Sequence, residues 1–308
     1  MSQYYFEKSA DAESFLQVFH TPGLGYSSCV KEYNKGNMPD KYQECTLAVD
    51  YKGPRYCAEM LTGVFIGNPA KARVLDIAAG TGLVGKELLK RGFCNVDAHD
   101  GAEAMVEFCK SLGFYKNFYV SFVGDGHRLP IKDDTYDAVT CCGATLENHL
   151  PSSAQTEFIR VIKPGGFFVN AHRANLPEIA YGQQWREDAQ RLEDEGKWTL
   201  HGRLHFRNFN KYTDGSLDIY RPRSVDDDHE PFDLNCMCEW IVLQAERQLW
   251  LNLQLVQIKR VTVACLPLDS PSISLKPGFL LTCHVWSSFQ SVQRLKRWST
   301  ADYSSYLC

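Results

Sequence analysis

The chain has 308 residues, of which 44% are hydrophobic and 23% charged, and a formal net charge of -4. These are the proportions of a globular protein with room for one α/β domain and additions at its ends, and the slightly acidic balance gives no reason to expect nucleic acid as a partner. No basic start with an apolar core opens the sequence, because Glu7, Asp11 and Glu13 interrupt it, and no apolar run approaches a membrane span.

In chain order, Phe15, Val18 and Phe19 fall at helical spacing and predict a helix over 11–20, with Ser9 available as its cap. Residues 39–66 carry a broken apolar stripe through Tyr42, Leu47, Tyr51, Tyr56, Met60 and Leu61, interrupted by Gly53-Pro54. Two short helices forming a packing collar are expected there. The pattern then becomes regular: strand 73–77, helix 83–91, strand 95–99, helix 102–112, strand 119–123, strand 136–142, helix 153–161 and strand 166–171. Lys163-Pro164-Gly165-Gly166 makes the turn between the last of these helices and the fifth strand. Such alternation calls for right-handed crossovers and a doubly wound, mainly parallel α/β sheet.

A covering helix over 181–195 is stopped by Gly196, and strands over 198–206 and 217–221 can close the sheet edge as an antiparallel pair. The fold is expected to end near Arg223. This divides the chain into a helical N-terminal cap (1–65), a cofactor domain (66–223) and a C-terminal appendage (224–308) that opens on the charged break Asp226-Asp227-Asp228-His229-Glu230 and has no functional signature. Among the 12 cysteines, Cys94, Cys141 and Cys142 fall in strands or at their ends, where a reduced thiol acts as a small apolar group and points to a reducing, cytoplasmic setting. Cys236-Met237-Cys238 near His229 matches no zinc spacing, so no metal is expected.

The most informative stretch runs from Val74 to Gly85: a buried strand, a glycine turn and the start of a helix. Gly80 and Gly82 permit positive φ and bring a ligand against bare backbone, while Gly85 lets the helix pack closely on the strand. With Asp100 twenty residues beyond Gly80, the run also matches the dinucleotide fingerprint, which makes an NAD-dependent oxidoreductase one reading. A pyrophosphate, however, seeks a helix N-terminus free of negative charge, and Asp76 argues against one. S-adenosyl-L-methionine has the opposite needs, carrying an ammonium, a sulfonium, a ribose diol and an adenine amine. Asp76 can supply negative potential and fix the loop beneath the methionine portion, carbonyls near Gly80 can accept from the ammonium, Asp100 from the ribose hydroxyls, and Asp125 from the adenine amine. Singly, Asp76 or Asp125 could be no more than a loop anchor. Together, three acids at successive strand ends outline one ligand.

The segments VLDIAAGTG, HDGAEAM, GDGHRLP, YDAVTCCGAT and IKPGG together resemble the class I S-adenosylmethionine-dependent methyltransferases, nearest to the methyltransferase-like proteins named after the Williams-Beuren syndrome chromosome region. The resemblance spans about 42–223. It implies a Rossmann-like, seven-stranded sheet whose final strand is antiparallel, with the cofactor across the C-terminal strand edges. By this match Asp76, Ala78, Gly80, Thr81 and Gly82 belong to the first motif, Asp100 with Gly101 to the ribose contact, and Asp125 with Gly126 to the adenine contact, while Cys142 lines the pocket wall. Ala78 replaces a glycine found in many members, a mild change if its φ is negative. The family's tyrosine-tryptophan pattern ahead of the domain survives only as Tyr33-Asn34-Lys35-Gly36-Asn37 and Asp40-Lys41-Tyr42-Gln43, so the lid over the methyl group departs from the family pattern.

Methyl transfer depends mainly on alignment, and needs a base only if the acceptor carries a proton. His149 and His172, near the ends of the fourth and fifth strands, are the candidate bases, with Glu147 and Arg173 as substrate anchors. The absence of an Asn/Asp-Pro-Pro-Tyr motif after the fourth strand disfavours amino methylation of adenine or glutamine. The expected function is methyl transfer to a small molecule or a protein side chain. A catalytically silent cofactor-binding interaction protein is the alternative, motivated by the altered lid and the unfamiliar tail.

Overall fold

The computed structural model describes residue 12 and residues 15–223. Ser9, the acidic break, the Cys236/Cys238 pair and the rest of the appendage lie outside the described residues. Strands β1 (Arg73–Ile77), β2 (Asn95–Asp100), β3 (Phe118–Val120), β4 (Tyr136–Cys142), β5 (Ile162–Arg173), β6 (Trp198–Asn210) and β7 (Thr213–Pro222) form one sheet in the order β3-β2-β1-β4-β5-β7-β6. The five strands β1 to β5 pair in parallel, and β7 runs antiparallel to both β5 and β6. The expected doubly wound, seven-stranded architecture is the one observed.

Side chains alternate across the sheet and build a core on each face. Val74 of β1 and Ala138 of β4 face one layer, with Leu61 of helix α3 (Gly53–Val64), Leu88 of α4 (Leu83–Lys90) and Cys109 of α5 (Glu103–Ser111). Leu75, Ile77, Val139 and Cys141 face the other, against Phe158 of α6 (Ala154–Val161) and Trp185 of α7 (Ala180–Asp194). Trp198 stacks on Tyr220 at 4.2 Å between ring centroids, sealing the edge formed by the antiparallel pair.

The collar differs from expectation. It comprises α1 (Tyr26–Tyr33), α2 (Met38–Ala48) and α3, preceded by the predicted N-terminal helix, of which the described residues Ala12 and Phe15–Gln17 are helical, and by a 3-10 turn at Val18–His20. α1 escapes the hydrophobic pattern because only Cys29 among its eight residues is buried. Gly53-Pro54 begins α3 rather than interrupting a helix, since a proline in the first turn has no intrahelical N–H to lose. The α2–α3 connection is tied to the β6–β7 hairpin, with Lys52 N–H donating to the Phe209 carbonyl and Lys211 N–H to that of Val49. β3 is shorter than predicted. β5 starts earlier, at Ile162: Tyr136 pairs with Ile162 and Ala138 with Phe167, so Lys163-Pro164-Gly165-Gly166 forms a bulge within the strand instead of a turn before it.

One buried acid is structural. Asp97, 1% exposed, accepts from both Arg73 Nε and Nη2, from Tyr136 Oη at 2.7 Å, and from the backbone and side-chain nitrogens of Asn117. Arg73 itself is 42% exposed, so the loss on breaking the network should fall at the lower end of that for a buried pair. We expect Asp97→Ala to lower the free energy of unfolding by about 3 kcal/mol in urea denaturation; a change below about 0.5 kcal/mol would show the network to be idle.

Candidate active site

The strand order reverses at β1, whose neighbours are β2 and β4, and the crevice beyond the C-terminal ends of these strands is where an open α/β sheet receives a ligand. The loop after β1 is held from beneath. Asp76, 1% exposed, accepts from Tyr115 Oη at 2.6 Å, Gly85 N–H at 3.2 Å and Thr140 Oγ1 at 3.3 Å. Burial pushes its carboxyl up to about 7, against the pull of these three hydrogen bonds. Gly85 is required here by Tyr115: a Cβ at this position would collide with the phenol ring, so the close approach is to Tyr115 rather than to the strand. Gly80 and Gly82 have φ of 55° and 74°, and Ala78 also lies in the left-handed region at 51°. Ala78 therefore does not take the negative φ that would make its replacement of glycine mild, because the loop must turn immediately after β1.

Asp100, at the end of β2, holds the loop from the side. Its Oδ2 accepts from Gly80 N–H and its Oδ1 from Ala102 N–H, each at 2.9 Å. The two oxygens retain further lone pairs toward a cavity of about 600 Å³, counted with its mouth. That cavity is lined by Ala78, Gly80, Asp100 and Gly101 from the β1 and β2 ends, by Cys142 and His149, and by Tyr26, Tyr33 and Tyr42 of the collar, with His99 also in its wall. Asp76, Thr81, Gly82, Asp125 and Gly126 are absent from the lining. Asp125 is exposed at φ 49° and hydrogen-bonded to Ser153, which both donates to its carboxylate and accepts its N–H at 2.7 Å.

A second cavity of about 1060 Å³ with its mouth adjoins the first, and the two share Tyr33, Tyr42, Gly143 and His149 as a common wall. His149 Nδ1 faces the Glu147 carbonyl at 3.1 Å, which makes it the protonated nitrogen, so Nε2 accepts from Tyr33 Oη at 2.9 Å. Burial lowers His149 to about 4, with the Arg173 charge acting in the same direction. His172 lines only the second cavity. Its Nδ1 lies 2.9 Å from the Arg173 carbonyl and its Nε2 3.3 Å from Asp218, which Arg203 also grips through two nitrogens. Both ring nitrogens face acceptors within the protein, so neither offers a lone pair to a substrate. Cys142 Sγ lies 3.1 Å from Tyr51 Oη, and burial raises its thiol well above the ordinary range. Tyr33 and Tyr42, the remnants of the lid pattern, are the site residues that motif reasoning undervalued.

Residues 75–170 match the family model described as a methyltransferase domain. The chain is 34% identical over 160 residues to human methyltransferase-like protein 27, covering 52% of this chain and 64% of that relative. It is 35% identical over 121 residues to a demethylmenaquinone methyltransferase of Corynebacterium glutamicum, covering 39% and 50%. With the sterol 24-C-methyltransferase of Schizosaccharomyces pombe it shares 31% identity over 102 residues, 32% and 26% of the two chains. The chain thus spans less than two thirds of the length of these relatives. No helix among the described residues is long and apolar enough to cross a membrane.

Two measurements check this geometry. Ala78→Gly relieves a left-handed alanine, and should raise the free energy of unfolding by up to about 1 kcal/mol; a loss of the size usual for glycine elsewhere would contradict the conformation. His99 Nε2 donates to the Ser121 carbonyl, and burial lowers this ring to about 4 as well. An unfolded histidine titrates near 6.5, so the stability contributed by keeping His99 and His149 neutral is complete above about 6.5 and is lost as the pH falls toward 4. Asp76, raised to about 7, acts in the opposite sense between about 4 and 7. Ring-proton NMR titration should place both histidine midpoints near 4, not 6.5.

Proposed function

We propose that this protein is an S-adenosyl-L-methionine-dependent methyltransferase that acts on a small molecule. The observation that carries this reading is the charge of the first cavity: its lining has one carboxylate, Asp100, no lysine or arginine, and two histidines that burial keeps neutral. Such a lining suits a cationic sulfonium and ammonium and is poorly suited to a pyrophosphate, which argues against NAD. Asp100 would hold the ribose hydroxyls with the lone pairs left free by Gly80 and Ala102, and the backbone of Ala78 and Gly80 would face the methionine portion. Gly101 leaves the approach to Asp100 open, since a Cβ there would stand 3.1 Å from both Tyr26 Oη and Val30.

When bound, the cofactor supplies an electrophilic methyl group: the acceptor's lone pair bonds to carbon as the carbon–sulfur bond breaks, its electrons remaining on sulfur as a neutral thioether. The wall of Tyr33, Tyr42, Gly143 and His149 is where a ligand in one cavity meets a ligand in the other. Tyr33 can take a proton from the acceptor while passing its own to His149 Nε2, so a ring of low basicity serves as the far end of a two-member relay. A second cavity with largely apolar walls supports a small-molecule acceptor over a protein side chain. Two of the relatives, named for demethylmenaquinone and sterol, act on molecules of that kind.

Calorimetry should detect binding of S-adenosylhomocysteine and none of NADH, and Asp100→Ala should weaken the former by about 1.5 to 3 kcal/mol through lost charge-assisted hydrogen bonds. Unchanged affinity would remove Asp100 from the site. Incubation of a cell extract with methyl-labelled cofactor should place label in the small-molecule fraction; label confined to protein would overturn the choice of acceptor.

A further inference from the structure

The second cavity contains a cation without a partner among the described residues. Arg173, the last residue of β5 and half-buried, makes no hydrogen bond, ion pair or ring contact through its guanidinium among the described residues. Nearly every other polar group around it is engaged. Thr145 donates to Asn170, Asn210 accepts two backbone N–H groups, Glu147 accepts the Gly23 N–H, and His172 lies between the Arg173 carbonyl and Asp218. The Tyr42 hydroxyl, in the wall shared with the cofactor cavity, likewise has no hydrogen-bond partner among the described residues, and the positive charge of Arg173 is felt both there and at His149. The rest of the lining is largely apolar, from Leu16, Leu146, Leu176, Ile179 and Phe209.

A partly desolvated guanidinium with no ion pair among the described residues is costly unless a ligand completes it, and its planar donor fork matches a carboxylate. We propose, resting on the reading of this domain as a methyltransferase, that the methyl acceptor is a small molecule with an apolar body and a carboxylate, and that Arg173 is the residue that binds the carboxylate. Arg173 then sets both specificity and orientation. With the carboxylate at the β5 end, the apolar body lies against the aliphatic wall, and the nucleophilic atom reaches toward Tyr33 and Tyr42. The same arrangement places a negative charge beside the cation that faces His149, so occupation of the cavity makes the far end of the proton relay more basic.

The test uses the full chain saturated with S-adenosylhomocysteine and two probes of equal shape, 3-phenylpropionate and its uncharged primary amide, titrated by calorimetry. The acid should bind about tenfold more tightly than the amide, the scale of one charge-assisted bidentate contact. Arg173→Gln should abolish that preference while leaving the melting temperature and the S-adenosylhomocysteine affinity unchanged, and Arg173→Lys should restore part of it. Equal affinities, binding of neither probe, or a preference that survives Arg173→Gln overturns the assignment. Failure of S-adenosylhomocysteine to bind in the preceding titration removes the cofactor reading instead, and the two probes are then scored on the chain alone.

Discussion

Everything at this site depends on the grip of two carboxylates on one short loop. Asp76 holds it from below through Gly85, Tyr115 and Thr140, and Asp100 holds it from the side through Gly80 while also fixing the start of α5 at Ala102. The grip is strong enough to keep an alanine at positive φ. It also gives the two acids different roles, since the oxygens of Asp76 are consumed within the core, whereas Asp100 keeps lone pairs facing the cavity. An acid at the end of the first strand thus shapes the bed of the cavity without lining it.

The two cavities on either side of Tyr33, Tyr42, Gly143 and His149 differ in their charged groups. The first has Asp100 and no lysine or arginine, whereas the second has both Glu147 and Arg173, and the Arg173 charge is felt at Tyr42 and His149 of the shared wall. On the proposed reading, a positively charged donor would meet Asp100 in the first cavity and a carboxylate acceptor would meet Arg173 in the second, on opposite sides of the shared wall.

Much of this arrangement is legible in the primary structure. The strands β1 and β4 are, because each is apolar on both faces and flanked by turn residues, and Asp100 is, because it ends a strand twenty residues past the glycine turn. The conformation of Ala78 is not, since alanine ordinarily avoids it and only the two carboxylates enforce it. α1 is hidden by its polar sequence, in which Cys29 alone is buried. Asp97 looks like an irregularity in the middle of β2 until folding brings Arg73, Asn117 and Tyr136 to it from three separate segments. The placement of Tyr33 and Tyr42 between two cavities is likewise a product of how the collar docks, for which a single sequence carries no periodic signal.

The collar has one more consequence. α1 supplies Tyr26, Cys29, Val30 and Tyr33 to the cavity wall and is held by packing, with Tyr33 stacked on Phe19 and Tyr26 against Phe122, as well as by polar bonds: Gly25 N–H donates to Asn148, Ala104 N–H donates to Asn34, and Tyr33 donates to His149. Bonds of this kind are worth about 1 kcal/mol each, far less than the packing of the sheet beneath. This wall of the cavity is therefore held by side-chain packing and three polar contacts, none of them a hydrogen bond of the sheet. One of those contacts, between Tyr33 and His149, joins the collar to the segment after β4, so a change in either side chain alters the walls of both cavities at once.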